Sequence, residues 1–149
     1  MPAIVTRVSV STTGMPKHAV LQAWVTPEGV DGDKPRLAKI HGGPMRAVCL
    51  YSEELYQWLR EKNVHVQAGD LGENITTSGI DLDALKPGDR LKIGDCEIEI
   101  TGVRVPCSQL KEWSPDLPQI IVGHSGWVAK VNRAAIVRPG DGVEVVSSG

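Results

Sequence analysis

The first ten residues alternate little and are dominated by β-branched types: Ile4-Val5-Thr6-Arg7-Val8-Ser9-Val10 runs into the turn-prone Ser11-Thr12-Thr13-Gly14-Met15-Pro16. A first strand is expected there. Residues 19–26 (Ala-Val-Leu-Gln-Ala-Trp-Val-Thr) read as a second strand, closed by Pro27-Glu28-Gly29 and by a polar loop that carries Gly32-Asp33. After the break at Gly42-Gly43-Pro44, residues 46–51 (Arg-Ala-Val-Cys-Leu-Tyr) predict a third.

The period then changes. Ser52 is placed to cap a helix, Glu53 and Glu54 sit where the helix dipole favours anions, and Leu55, Trp58 and Leu59 form an apolar stripe at i, i+3 and i+4. Asn63 marks its end. The clearest pattern is a hairpin: Arg90-Leu91-Lys92-Ile93, a Gly94-Asp95 turn, then Cys96-Glu97-Ile98-Glu99-Ile100. Leu91 and Ile93 share one face with Cys96, Ile98 and Ile100, and Lys92 meets Glu97 and Glu99 on the wet side. Cys96 is thereby assigned to packing.

Residues 86–93 (Lys-Pro-Gly-Asp-Arg-Leu-Lys-Ile) echo residues 138–145 (Arg-Pro-Gly-Asp-Gly-Val-Glu-Val). Turn chemistry accounts for the echo better than a duplicated site does, because Pro-Gly favours a corner feeding a strand. About six or seven short strands with one good helix point to a mainly β chain with a few short helices, folded as a sandwich or as a barrel, which would remove exposed sheet edges.

Composition narrows the functional classes. With 149 residues, 41% hydrophobic and 23% charged, the chain suits one domain spanning residues 1–149. A core of that size needs no disulfide or structural metal. The net charge of −2 and pI near 6.1 argue against a nucleic-acid binder. No long apolar run or signal-like N-terminus is present, so no membrane association and a cytoplasmic location are expected. Cys49, Cys96 and Cys107 are an odd set without CxxC spacing, which favours neither a disulfide framework nor a four-ligand zinc site.

Three segments carry candidate chemistry. Cys107 follows Pro106 where a strand must stop, and Arg104 lies three residues before it; a nearby cation lowers a thiol's pKa. Lys39-Ile40-His41-Gly42-Gly43-Pro44-Met45-Arg46 joins cationic or titratable side chains to two adjacent glycines, which let backbone N–H groups converge on an anion. Its alternative is a glycine turn with solvated Lys39 and Arg46. Residues 69–77 (Gly-Asp-Leu-Gly-Glu-Asn-Ile-Thr-Thr) are too polar for a core, and Asn74 and Thr76 offer donors and acceptors either to a ligand or to the loop's own backbone. His18, His65 and His124 lack HxxxH or HxH spacing, and no GxGxxG, GxxxxGK[ST] or GxSxG occurs.

In order along the chain, Gly14-Met15-Pro16-Lys17, Gly32-Asp33, His41-Gly42-Gly43-Pro44, Arg46-Ala47-Val48, Tyr51-Ser52-Glu53, residues 69–76, Gly88-Asp89 and Pro106-Cys107 resemble the MOSC family, the type of domain found at the C-terminus of molybdenum cofactor sulfurases. The stand-alone bacterial YiiM-like branch is the most similar. The resemblance implies a closed or partly closed β-barrel with a pocket, binding of molybdenum cofactor (molybdopterin), and a cysteine, here Cys107, that ligates molybdenum or carries a persulfide. Lys17, Lys39, His41, Arg46 and Arg104 would hold the cofactor's phosphate and pterin, Gly42 and Gly43 would let it approach, and Asn74 and Thr76 would line the pocket.

The activity so implied is reduction of N-hydroxylated, hydroxylaminopurine-type small molecules, with a sulfur carrier and a non-catalytic storage protein as rivals. Electrons would come from an external donor protein, since no flavin, haem or iron–sulfur motif is present. A homodimer is left open. Two features depart from the pattern: Asp33 is followed by Lys34-Pro35-Arg36, where the family often has histidine or glutamine, and the C-terminal helical extension of longer members is not in this sequence. Trp127 matches a family aromatic, but Val131-Asn132-Arg133-Ala134-Ala135 replaces the usual turn after it.

Overall fold

The computed structural model describes residues 2–12, 16–33, 44–104, 121, 124 and 126–147. Its main sheet has eight strands in the order β11-β7-β8-β9-β5-β6-β1-β2. These are β1 (Ile4–Val10), β2 (His18–Val20), β5 (Val48–Ser52), β6 (Ile75–Ser78), β7 (Arg90–Ile93), β8 (Cys96–Val103), β9 (Trp127–Arg133) and β11 (Val143–Ser147). A second sheet of three strands, β10-β3-β4, is built from β3 (Ala23–Thr26), β4 (Gly29–Val30) and β10 (Ala135–Val137).

Neighbouring strands are antiparallel except β5 and β6, which pair in parallel. A parallel pair needs a crossover, and helix α1 (Glu53–Glu61) supplies it. Ser52 caps the helix by accepting from Leu55 N at 3.0 Å, Leu55 and Leu59 are buried, and Asn63 follows the end with φ of 63°. That left-handed turn is one asparagine tolerates.

Two apolar clusters lie on opposite faces of the main sheet. One joins Leu50, Ile75, Leu91, Ile98 and Ile100 to Val25, Val30 and Val137 of the small sheet. The other packs Cys49, Tyr51, Val128 and Leu71 against Leu55, Tyr56 and Leu59 of α1. Strand β5 therefore alternates between two cores, with Val48 and Leu50 in one and Cys49 and Tyr51 in the other. Being buried on both faces, it reads as a continuous run and not as an in-out alternation.

Among the described residues the expected closed barrel is not found, since the main sheet stays open between β11 and β2. Its far ends approach through a single bridge, Ile4 to Gly142, with Val5 N donating to Asp141 O at 2.8 Å and Gly140 N to Val5 O at 2.7 Å. Val143 N also donates to Ala3 O at 3.0 Å, so three backbone bonds join the start of β1 to residues 140–143 without pairing β11 with β2.

Two local expectations also change. Residues 19–26 are not one strand: β2 pairs with β1, whereas β3 turns away at the exposed Leu21 to pair with β10 and β4. A common β-branched composition hides which sheet each half joins. Residues 69–77, judged too polar for a core, are interior, with Glu73, Asn74, Thr76 and Thr77 each at most 3% exposed.

The hairpin forms in the expected register, Ile93 opposite Cys96 and Lys92 opposite Glu97, around Gly94 at φ 59°. Cys96 is fully buried, as a packing residue should be. The two Pro-Gly-Asp echoes are corners of the same construction. Asp89 Oδ2 accepts from Lys86 N at 3.0 Å and Asp141 Oδ2 from Arg138 N at 2.8 Å, and the strands that follow, β7 and β11, pair with each other. Among the described residues no helix is long and apolar enough to cross a membrane.

Candidate functional site

Cys107, Lys39, His41, Gly42 and Gly43 lie outside the described residues. The ends of the segments that carry them are described. One segment enters through a 3-10 turn, Pro44–Arg46, and the other leaves through Arg104 after β8. The two ends are joined by a hydrogen bond from Thr101 to the Met45 carbonyl. A register shift in β8 between Ile100 and Gly102 makes Thr101 an extra residue, and a bulge re-aims its side chain. The Thr101 hydroxyl donates to the carbonyl of Met45 and lies 3.2 Å from Val128 O. Arg46, at the end of the 3-10 turn, and Arg104, just after β8, thus flank the two segments, joined by the Thr101–Met45 hydrogen bond.

Arg104 is held at two points. Its backbone N donates to Gly126 O at 2.8 Å, and its Nη1 lies 3.5 Å from the Sγ of Cys49. The thiol it touches in the described structure is therefore Cys49, a partner nothing in the sequence spacing signalled. Burial pushes the Cys49 thiol up from its ordinary pKa, with Arg104 opposing the rise. Burial likewise raises Tyr51, and it lifts Cys96 to about 11. Burial thus disfavours the thiolate form at both described cysteines.

The remaining described candidates are built into the scaffold. Lys17 Nζ makes a buried ion pair with Asp33, at 2.6 and 2.7 Å to its two oxygens, and Asp33 also accepts from Ser11 N at 2.9 Å. The resemblance had Lys17 toward a cofactor and left Gly32-Asp33 unassigned, whereas here the two motifs neutralise each other. Asn74 Oδ1 accepts from Cys49 N at 3.1 Å and its Nδ2 donates to Ser9 O at 3.3 Å, so its carboxamide stands in for a peptide group between β5 and β1. Thr76 Oγ1 donates to Glu73 Oε2 at 2.7 Å.

Glu73 was not singled out by its spacing, yet it organises this loop. Its carboxylate also accepts from Tyr56 Oη at 2.6 Å and from Gly69 N at 3.1 Å, tying α1 and residues 69–74 to β6. Burial outweighs these bonds and raises its pKa above the usual carboxylate value. Gly69 is required for close approach as well: a Cβ there would stand 2.6 Å from Lys17 O, at a φ of 91°.

A cleft of about 460 Å³ opens between α1 and the turn at residues 79–83, reaching Tyr51 and Gly126 at its floor. No motif pointed to it, because its walls come from three separated stretches. His124 sits at its rim, 3.2 Å from Asp83 and with its ring centroid 4.7 Å from that of Trp58. Among the described residues no group of three or more His, Cys, Asp or Glu is arranged to hold a metal ion.

The chain belongs to the MOSC domain family, whose model matches residues 38–144. It is 32% identical over 134 residues to protein YiiM of Escherichia coli, an alignment that covers 85% of this chain and 60% of that protein. Its fold matches the crystal structure of YiiM from Geobacillus stearothermophilus with a TM-score of 0.80 at 25% identity, covering 98% of this chain and 76% of that one. Against the E. coli YiiM crystal structure the TM-score is 0.78 at 28% identity, covering 100% and 71%. The chain thus spans about six-tenths of the length of the E. coli relative.

Proposed function

We propose that this MOSC protein binds molybdenum cofactor through Cys107 and reduces N-hydroxylated compounds of the hydroxylaminopurine type to amines. The observation that supports the reading is the hydrogen bond from the Thr101 hydroxyl to Met45 O, which joins Pro44–Arg46 to the end of β8, the described residues next in sequence to His41-Gly42-Gly43 and closest in sequence before Cys107. Membership of the MOSC family supports a cofactor of this class.

The residues present fit such a group in charge and in softness. Arg46 and Arg104 supply cations for a phosphate in a chain of net charge −2, and Cys107 supplies a soft thiol ligand. Lys39 and His41 add charge, and paired glycines admit an anion to the backbone. When bound, the cofactor would supply the two-electron redox chemistry. The protein's part is to offer one thiolate, to neutralise the phosphate and to orient the substrate. Reduction of N–OH to N–H takes two electrons and two protons and releases water, so an external electron-donor protein is needed.

Lys17, Asn74 and Thr76 act in this reading by shaping the scaffold behind the site, through the bonds already described. The test is Cys107→Ser, which replaces a soft thiolate by a hydroxyl that is not ionised near neutral pH. Both proteins are produced with cofactor biosynthesis active, assayed for molybdenum and pterin, and offered an N-hydroxylated purine with an artificial donor. Loss of turnover with retained pterin supports the reading. Wild-type turnover by the serine variant overturns it; cofactor-loaded protein that never turns over favours storage, and sulfane sulfur on Cys107 without molybdenum favours a sulfur carrier.

A further inference from the structure

The cleft beside α1 has a chemistry of its own. Its floor and walls are apolar, with Tyr51, Leu55, Ile80 and Leu82 buried or half-buried, and Trp58 closes one side. Its rim carries three carboxylates, Glu54, Asp81 and Asp83, against one imidazole, His124, and no lysine or arginine among the described lining residues. Local bonds engage one oxygen of each acid: Glu54 Oε2 accepts from Gly79 N at 3.1 Å, Asp81 Oδ1 from Asp83 N at 3.1 Å, and Asp83 Oδ2 faces His124. These bonds orient the carboxylates without neutralising Glu54 or Asp81.

Trp58 adds an aromatic wall, and the Lys62 Nζ, 4.8 Å from its ring centroid, sits against that ring from outside the lining residues, so the sign of the preferred guest rests on the three rim carboxylates. An anionic ligand would meet three like charges. A volume of about 460 Å³ falls in the range of small-molecule pockets and accommodates a bicyclic aromatic body. From this complementarity we infer that the cleft binds a small organic cation, a flat apolar body bearing a protonated amine that reaches the Glu54 and Asp81 carboxylates. The inference needs neither molybdenum nor Cys107, so it stands or falls apart from the proposed reaction.

Three probes of one shape and different charge test it: 2-naphthylmethylammonium, 2-naphthylmethanol and 2-naphthoate, titrated calorimetrically into the full chain. The ammonium should bind at least tenfold tighter than the carboxylate, with the alcohol between. Glu54→Gln combined with Asp81→Asn keeps an acceptor oxygen for Gly79 N and Asp83 N while removing two charges; it should collapse the ammonium's advantage and leave the alcohol unchanged. Ile80→Trp, which fills the cleft, should abolish binding of all three, and an unchanged circular dichroism spectrum and melting curve show that each variant is folded. Equal affinities for the three probes, an ammonium preference that survives the double substitution, or binding that survives Ile80→Trp would each overturn the assignment.

Discussion

Replacing Glu73 probes the buried network at its centre. The Gln variant keeps one oxygen for the Tyr56 hydroxyl but turns an amide NH2 toward Gly69 N and Thr76 Oγ1, the donors now facing Oε2. Thr76 can rotate its hydroxyl and accept instead. The Gly69 N–H has no such freedom, and one buried donor left unmet costs about 1–3 kcal/mol. The Ala variant strands all three donors and opens a void, for an expected loss of about 3–5 kcal/mol after partial collapse.

The loss for Gln carries a pH signature. Because burial raises the folded-state pKa of Glu73 above its unfolded value, its stabilising contribution is complete below the unfolded carboxylate range and is lost as pH rises through the folded value. Glutamine does not titrate. The stability gap between wild type and Glu73→Gln should therefore be widest near pH 4, below the ordinary carboxylate value, and narrow as pH rises. Urea denaturation at pH 4 and at pH 8, followed by circular dichroism and tryptophan fluorescence, measures it. A gap that widens with pH, or a Gln variant as stable as wild type at pH 4, would refute the reasoning.

Two other substitutions address the framework around the site. Lys17→Met leaves the Asp33 carboxylate buried without its counter-charge, and breaking such a pair should cost about 3–5 kcal/mol in chemical denaturation; a loss below about 0.5 kcal/mol, the usual ceiling for a surface change, would mean that the pair is not structural. Gly126→Ala would place a Cβ 1.7 Å from Leu50 O, so the strand must move, and a loss of about 3 kcal/mol with a lower melting temperature is expected. A melting curve identical to wild type would show that the junction between Arg104 and the cleft floor gives way easily.

What could be read from the sequence was what local chemistry determines. The hairpin at residues 90–100 declares itself through period-two alternation around Gly94-Asp95, and α1 through a cap, an acidic first turn and a stripe. The break at Leu21 does not, since β2 and β3 have similar composition and differ only in their partners. Burial of Glu73 and Asn74 was also hidden. A polar run looks solvated until its donors and acceptors are matched by groups distant in sequence, as Asn74 is by Ser9 and Cys49. Motif order identified the family, but the cleft arises from side chains on three separated stretches and left no linear trace.

The contact between Ile4 and Gly142 bears on how the chain is assembled during synthesis. A nascent chain ending before β11 leaves one side of β7 unpaired and β1 without its backbone partners at residues 140–142. Bare strand edges invite pairing with other chains. The long separation between the two contact points adds little further cost, because closure entropy grows only by about 0.6 kcal/mol for each doubling of loop length. The vulnerable interval is thus one of time: the Ile4–Val5 end of β1 and one side of β7 stay bare until residues 140–147 emerge, so slow elongation through the Pro139-Gly140 corner would prolong their exposure to aggregation.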